Sequence, residues 1–111
     1  MYRKSKVDSP AGVIGHYSIT KTALVAMTKA LAQELLHDEI RVNCLAPGLI
    51  KTKFSSSLWE GREKESCDHM GVTRLGEVED IANGARFLCS QESSYMTGEA
   101  LFIAGKPSPR L

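Results

Sequence analysis

The sequence has few of the features that would mark a specialised class. Its three cysteines, Cys44, Cys67 and Cys89, stand far apart with no Cys-x-x-Cys pair. That excludes a paired disulfide framework and a metal knuckle, and it points to a reducing compartment. Long apolar runs are missing too: none approaches the ~18 residues of a membrane helix, and Asp8 and Pro10 interrupt the stretch where a secretory signal carries its apolar segment. Neither a membrane span nor a secretion signal is expected. Charge of one sign is also absent, since 14 Lys and Arg against 13 Asp and Glu leave a net +1. Such a chain projects no broad field for nucleic acid or an anionic bilayer, so neither is an expected partner. His16, His37 and His69 lack ligand spacing, and no metal site is expected.

What is present fits one ordinary soluble domain. A length of 111 residues allows a single core, and 42% hydrophobic with 24% charged residues is close to the average for chains that fold. Residues 1–16 mix charge with Ser9, Pro10, Gly12 and Gly15 and read as an irregular arm. From Ser18 the apolar residues recur at spacings of 3 and 4, which predicts a long helix. Leu24, Met27, Leu31 and Leu35 form its core stripe, and Ala23, Ala26 and Ala30 a small-residue seam.

Ile40 to Ala46 reads as a short buried strand closed by Pro47-Gly48. Helix followed by buried strand indicates an α/β layer. Lys51 to Val72 is polar and reads as a loop or a short helix, in which Leu58 and Trp59 need cover from the domain or from something bound. Glu77, Glu79 and Asp80 open a second amphipathic helix whose buried side is Ile81, Ala85, Leu88 and Cys89. Ala100 to Ala104 reads as a second strand, and Lys106 to Leu111, with Pro107 and Pro109, as an irregular tail.

Tyr17 and Lys21 are four apart where the long helix begins, so a helix places both on one face. A free phenol titrates near ~10 and is a poor proton relay at neutral pH; a neighbouring ammonium stabilises the phenolate and makes an acid/base centre. Chance alone supplies about 0.2 such pairs in a chain of this composition, by counting template matches. Taken alone, the pair reads as accidental or as a helix-surface pair.

Its neighbours make the pattern specific. Tyr17-Ser18-Ile19-Thr20-Lys21 is followed by Arg41-Val42-Asn43, then Leu45-Ala46-Pro47-Gly48-Leu49-Ile50-Lys51-Thr52. Arg74-Leu75-Gly76-Glu77-x-Glu79-Asp80-Ile81-Ala82, Phe87-Leu88 and Ser94-Tyr95-x-Thr97-Gly98 come next in order. From Tyr17 to Gly105 the chain resembles the C-terminal half of the short-chain dehydrogenase/reductase family, in particular its NADP-dependent retinal and carbonyl reductase branch. The resemblance implies the C-terminal part of a Rossmann-like doubly wound parallel sheet in residues 17–105. It also implies an oxidoreductase that reduces a ketone, aldehyde or retinal with NADP(H), NAD(H) being the other choice. Tyr17 would give the proton, and Lys21 would bind the nicotinamide ribose and favour the phenolate. Pro47, Gly48 and Ile50 would line the nicotinamide, with Thr52 holding its carboxamide. Leu58 and Trp59 would meet a small carbonyl substrate in a lid after Thr52.

Other marks of that family are expected to be missing. No Gly-rich turn follows a strand near the start, and at about 30 residues per βαβ unit the chain holds about two strands and two or three helices of the sheet. The family's catalytic serine position falls on Lys4; Ser5, one step off register, is a candidate substrate contact or an ordinary loop serine. Uncovered strand edges and helix faces predict marginal stability and association, with residues 77–105 pairing across a twofold as the expected homo- or hetero-oligomer contact. The alternative to a weakly active reductase is thus a catalytically dead product that docks on a full-length relative. Ser108-Pro109-Arg110-Leu111 resembles a Ser-Arg-Leu peroxisomal address with Pro109 in the small-residue place, so cytoplasm and peroxisome are both expected locations.

Overall fold

A computed structural model describes residues 10–107, with side chains described from Ile19 onward. Ser5 and the tail Ser108 to Leu111 lie outside the described residues. The described chain is a small α/β assembly that contacts divide into two units: one runs through Cys44 and includes Thr97–Glu99, the other takes Leu45–Met96 and continues from Ala100.

The first unit is dominated by α1 (Pro10–Glu34). It begins inside the segment read as an irregular arm, and the physical reason is positional. Proline in a first helical turn removes only an amide that has no partner there, and Gly12 and Gly15 each weaken a helix interior by about 1 kcal/mol without breaking it. The packing of α1 also corrects the sequence reading. Leu24, Met27 and Leu31 are exposed, and the buried positions are Thr28 and Ala32. Two small side chains at i and i+4 let backbone lie close: a Cβ on Gly98 would stand 3.4 Å from the Ala32 Cβ. The Thr28 hydroxyl is satisfied within the helix by donating to the Leu24 carbonyl at 2.8 Å.

A single 3-10 turn, Leu36–Asp38, follows and ends on Glu39 with φ 57°. Residues 42–44 then bond to 97–99: the Val42 N–H donates to Thr97 Oγ1 at 3.1 Å, the Glu99 N–H to Asn43 Oδ1 at 3.1 Å and the Cys44 N–H to the Glu99 carbonyl at 2.9 Å. Side chains supply part of this pairing. The strand is accordingly shorter than Ile40 to Ala46, and it includes the proline expected to close it.

That strand, β1 (Cys44–Pro47), and β2 (Ala100–Ile103) form a two-stranded parallel sheet. Gly48 continues the pairing by donating to the Ile103 carbonyl at 2.9 Å, so by strand alternation the nitrogen of Pro47 faces the other edge, where a proline removes no bond to β2. The second unit adds three helices, α2 (Ser56–Trp59), α3 (Glu63–Met70) and α4 (Val78–Leu88). The polar stretch after Lys51, read as a loop or a short helix, therefore holds two short helices. Ser66 ties them by donating its hydroxyl to the Leu58 carbonyl at 2.6 Å, and Gly71, at φ 69°, closes α3 in the left-handed region that favours glycine.

The amphipathic helix read from Glu77 is present as α4. Its half-buried side carries Ile81, Ala85 and Leu88, while Cys89, expected with them, is exposed. The helix ends on that cysteine, one position after the packed face. Among the described residues the hydrophobic side chains buried outright are Ala32, Cys67 and Leu75.

Asp80 fixes the start of α4. It accepts the Glu77 N–H at 2.8 Å in a reciprocal capping box and takes two bonds from Arg74, at 2.8 and 3.0 Å. The Arg74 bonds, with the Glu77 amide, lower its pKa from 3.8 to about 2. A carboxylate whose pKa is depressed on folding contributes stability that is complete above its unfolded pKa and fades as pH falls through its folded one. We expect the thermal midpoint to drop between about pH 4 and pH 2, with a shallower drop in Asp80→Asn; identical acid limbs in the two proteins would remove Asp80 from the linkage.

Candidate functional site

In the first unit, Tyr17 and Lys21 both belong to α1, whose unbroken helix puts the two backbone positions on one face. The Tyr17 side chain lies outside the described ones; that of Lys21 is exposed. The other described candidates belong to the second unit, in the turn after β1 and in α2.

Gly48 is in that turn for a steric reason. A Cβ there would sit 2.8 Å from the Ala104 Cα and 3.1 Å from its carbonyl oxygen, and backbone cannot yield as a side-chain tip can. Gly48→Ala is expected to cost about 1–3 kcal/mol, the usual range for overpacking, read as a lower urea midpoint. A loss within about 0.5 kcal/mol, ordinary for a surface site, would contradict the close approach.

The next residues are held from the loop before α4. The Gly76 N–H donates to the Leu49 carbonyl and the Lys51 N–H to the Gly76 carbonyl, both at 2.9 Å, as an isolated parallel bridge at Ile50. Thr52 is fixed by Ser55. The Thr52 N–H donates to Ser55 Oγ at 3.2 Å, and the Ser55 N–H donates back to Thr52 Oγ1 at 3.3 Å.

Three of the four turn residues read as nicotinamide contacts, Pro47, Ile50 and Thr52, line one hollow of about 430 Å³, where they meet Val78, Ile81 and Ala85 of α4. Gly48 lines a different hollow of about 140 Å³ with Arg74 and Asp80. The larger hollow offers a wholly apolar wall. Such a wall suits the face of a flat ring.

Leu58 and Trp59, read together as lid contacts, are separated. Leu58 is exposed and borders a third hollow, of about 320 Å³, with Leu49, Ser66 and Met70. Trp59 is half-buried and turns back to the turn, where its Nε1–H donates to Ser55 Oγ at 3.1 Å. Lys51 stands 6.0 Å from the centre of its ring. The Lys51 ammonium also pairs with Glu63 at 2.7 Å and Glu77 at 3.4 Å. The hydrogen bond to Glu63 is the main reason that its pKa is raised.

Sequence reasoning passed over Ser55 and Lys51. Ser55 stands in the polar stretch read as a loop or a short helix, among Ser55-Ser56-Ser57, and was not singled out. The signal available was its place three residues after Thr52 and four before Trp59, the reach of a turn bond and of a helical turn.

Comparison with known proteins supports the family that the motifs resemble. A family profile described as enoyl-(acyl carrier protein) reductase matches residues 5–105. The chain is 49% identical over 105 residues to a rabbit (Oryctolagus cuniculus) protein named dehydrogenase/reductase SDR family member 4, covering 93% of this chain and 40% of that protein. It is 50% identical over 105 residues to the human protein of the same name, of which it covers 38%. The chain therefore spans about two-fifths of the length of these curated relatives.

Among solved structures, a short-chain dehydrogenase/reductase of the glucose/ribitol dehydrogenase type from Brucella melitensis superposes with a TM-score of 0.74 at 41% identity, over 81% of this chain and 36% of that one. A blue fluorescent protein from a metagenomic library, in complex with NADPH, gives 0.72 at 34% over 80% and 36%. A 4-hydroxyisoleucine dehydrogenase complexed with NADH gives 0.73 at 28% over 80% and 37%. With a profile match over nearly the whole sequence, the chain belongs to the short-chain dehydrogenase/reductase family.

Proposed function

We propose that this chain carries the proton-donating and nicotinamide-facing part of an NAD(P)H-dependent carbonyl reductase. The observation that carries this reading is the placement of Tyr17 and Lys21 one turn apart on a continuous α1, in a chain of this family. The cofactor, when bound, supplies hydride to the carbonyl carbon. Tyr17 gives the proton to the carbonyl oxygen, completing the alcohol, and is left as phenolate. Lys21 favours that anion and binds the ribose hydroxyls. Pro47, Gly48 and Ile50 line the nicotinamide, and the Thr52 hydroxyl bonds its carboxamide. Ser5 and Leu58 meet the carbonyl substrate, while Trp59, tied inward through its Nε1–H, acts on the lid.

The relatives in complex with NADPH and with NADH support a nicotinamide cofactor of either kind. A ketone, aldehyde or retinal is the substrate class, and NADPH the favoured form. The test is a titration of the purified 111-residue chain with NADPH, followed by carbonyl-dependent NADPH oxidation. Saturable binding with turnover is expected; neither would be seen if the chain were only a docking element.

That second reading is favoured by Val78 on α4 and Phe102 on β2, which are 60% and 55% exposed. These residues lie in the 77–105 segment through which the chain would pair with itself or with a full-length reductase. Co-purification with such a reductase, without cofactor binding, would select it.

A further inference from the structure

Ser55 is 8% exposed and lies between the turn and the lid. A hydroxyl has one proton and two lone pairs, and here all three are engaged. The proton goes to the Ile50 carbonyl, the nearer of two acceptors, the Thr52 carbonyl standing 3.3 Å away. The lone pairs accept the Thr52 N–H at 3.2 Å and the Trp59 Nε1–H at 3.1 Å. The Thr52 hydroxyl lies 3.1 Å from the same oxygen, and the two hydroxyls share a hydrogen bond in which either can donate. The Ser55 N–H donates back to Thr52 Oγ1. Thr52 is thus held to Ser55 through both its backbone and its side chain.

We propose that Ser55 is a positioning residue that couples the lid to the cofactor-facing turn: one buried oxygen holds Ile50, Thr52 and Trp59 together, so that Thr52 keeps its place in the turn only while Trp59 is docked. The consequence for a bound carboxamide rests on the function proposed above. The coupling itself does not. Burial makes it matter, because water has little access to replace whichever partner leaves the Ser55 oxygen.

The chain has one tryptophan, so its fluorescence reads Trp59 alone. In the full chain, Ser55→Ala is expected to shift Trp59 emission to the red and to speed exchange of the Thr52 amide about tenfold, the scale of one lost hydrogen bond, with the amides of α4 unchanged. Ser55→Thr, which keeps the hydroxyl, restores both. Trp59→Phe keeps an aromatic ring but removes the indole donor; it also speeds Thr52 exchange, about two- to threefold, although residue 59 makes no bond to Thr52. Unchanged Thr52 exchange in Trp59→Phe overturns the coupling, and does so even if Ser55→Ala fails to fold. NADPH binding about tenfold weaker in Ser55→Ala and restored in Ser55→Thr extends the coupling to the cofactor. No NADPH binding by the wild type overturns the functional reading, while the fluorescence and exchange results still decide the role of Ser55.

Discussion

Replacing Tyr17 with phenylalanine is expected to lower carbonyl-dependent NADPH oxidation by roughly 10²–10⁴-fold, the usual contribution of a positioned general acid. The ring and the helix are kept; only the hydroxyl is removed. Far-UV circular dichroism should therefore be unchanged, which separates loss of chemistry from loss of fold. Lys21→Met is expected to lower the same rate, because the departing proton leaves a phenolate that the ammonium no longer favours. If the two side chains act as a unit, the double variant Tyr17→Phe/Lys21→Met is little worse than Tyr17→Phe alone, since residues of one catalytic device do not add. Turnover that survives Tyr17→Phe unchanged would reject the proton-donor role. Additive losses would place Lys21 elsewhere in the chemistry.

The sequence was most readable where chemistry imposes spacing. The helix that carries Tyr17 and Lys21, the close approach at Gly48 and the acidic start of α4 were legible, because a helical period, a tight turn and a helix N-terminus each favour particular residues at particular offsets. The α4 boundaries and the position of β2 followed from the same logic. Packing was harder to read. The Leu24, Met27 and Leu31 periodicity specifies a face that wants cover, yet periodicity carries no information about which residues supply it, and Thr28 and Ala32 are the buried pair instead. The α2–α3 region stayed open between a loop and a short helix because short polar helices carry little apolar signal. Their order comes from polar ties such as Ser66 to the Leu58 carbonyl, which no periodicity reveals. Ser55 was missed for a related reason: a serine in a polar stretch looks solvated until its partners are known.

Leu75 shows how far the turn depends on one side chain that the motif reading did not single out. It is 1% exposed and the largest side chain buried to that degree among the described residues. Its neighbours in sequence are both tied down: Arg74 is paired with Asp80, and Gly76 exchanges two backbone bonds with Leu49 and Lys51. Leu75 is thus the apolar anchor of the loop that holds Ile50 in place. Leu75→Ala is expected to cost about 2–5 kcal/mol, from lost transfer energy plus the cavity left behind. In a domain of this size, whose whole stability is on the order of 5–15 kcal/mol, that is a large share. Leu75→Met, which nearly conserves volume, should cost less than about 1.5 kcal/mol. Urea unfolding of the three proteins reads both numbers, and a Leu75→Ala loss below about 1 kcal/mol, short of any ordinary cavity cost, would show that the loop is not anchored this way. Because the anchor acts on the turn through Gly76, Leu75→Ala is also expected to speed exchange of the Lys51 amide, whose acceptor is the Gly76 carbonyl.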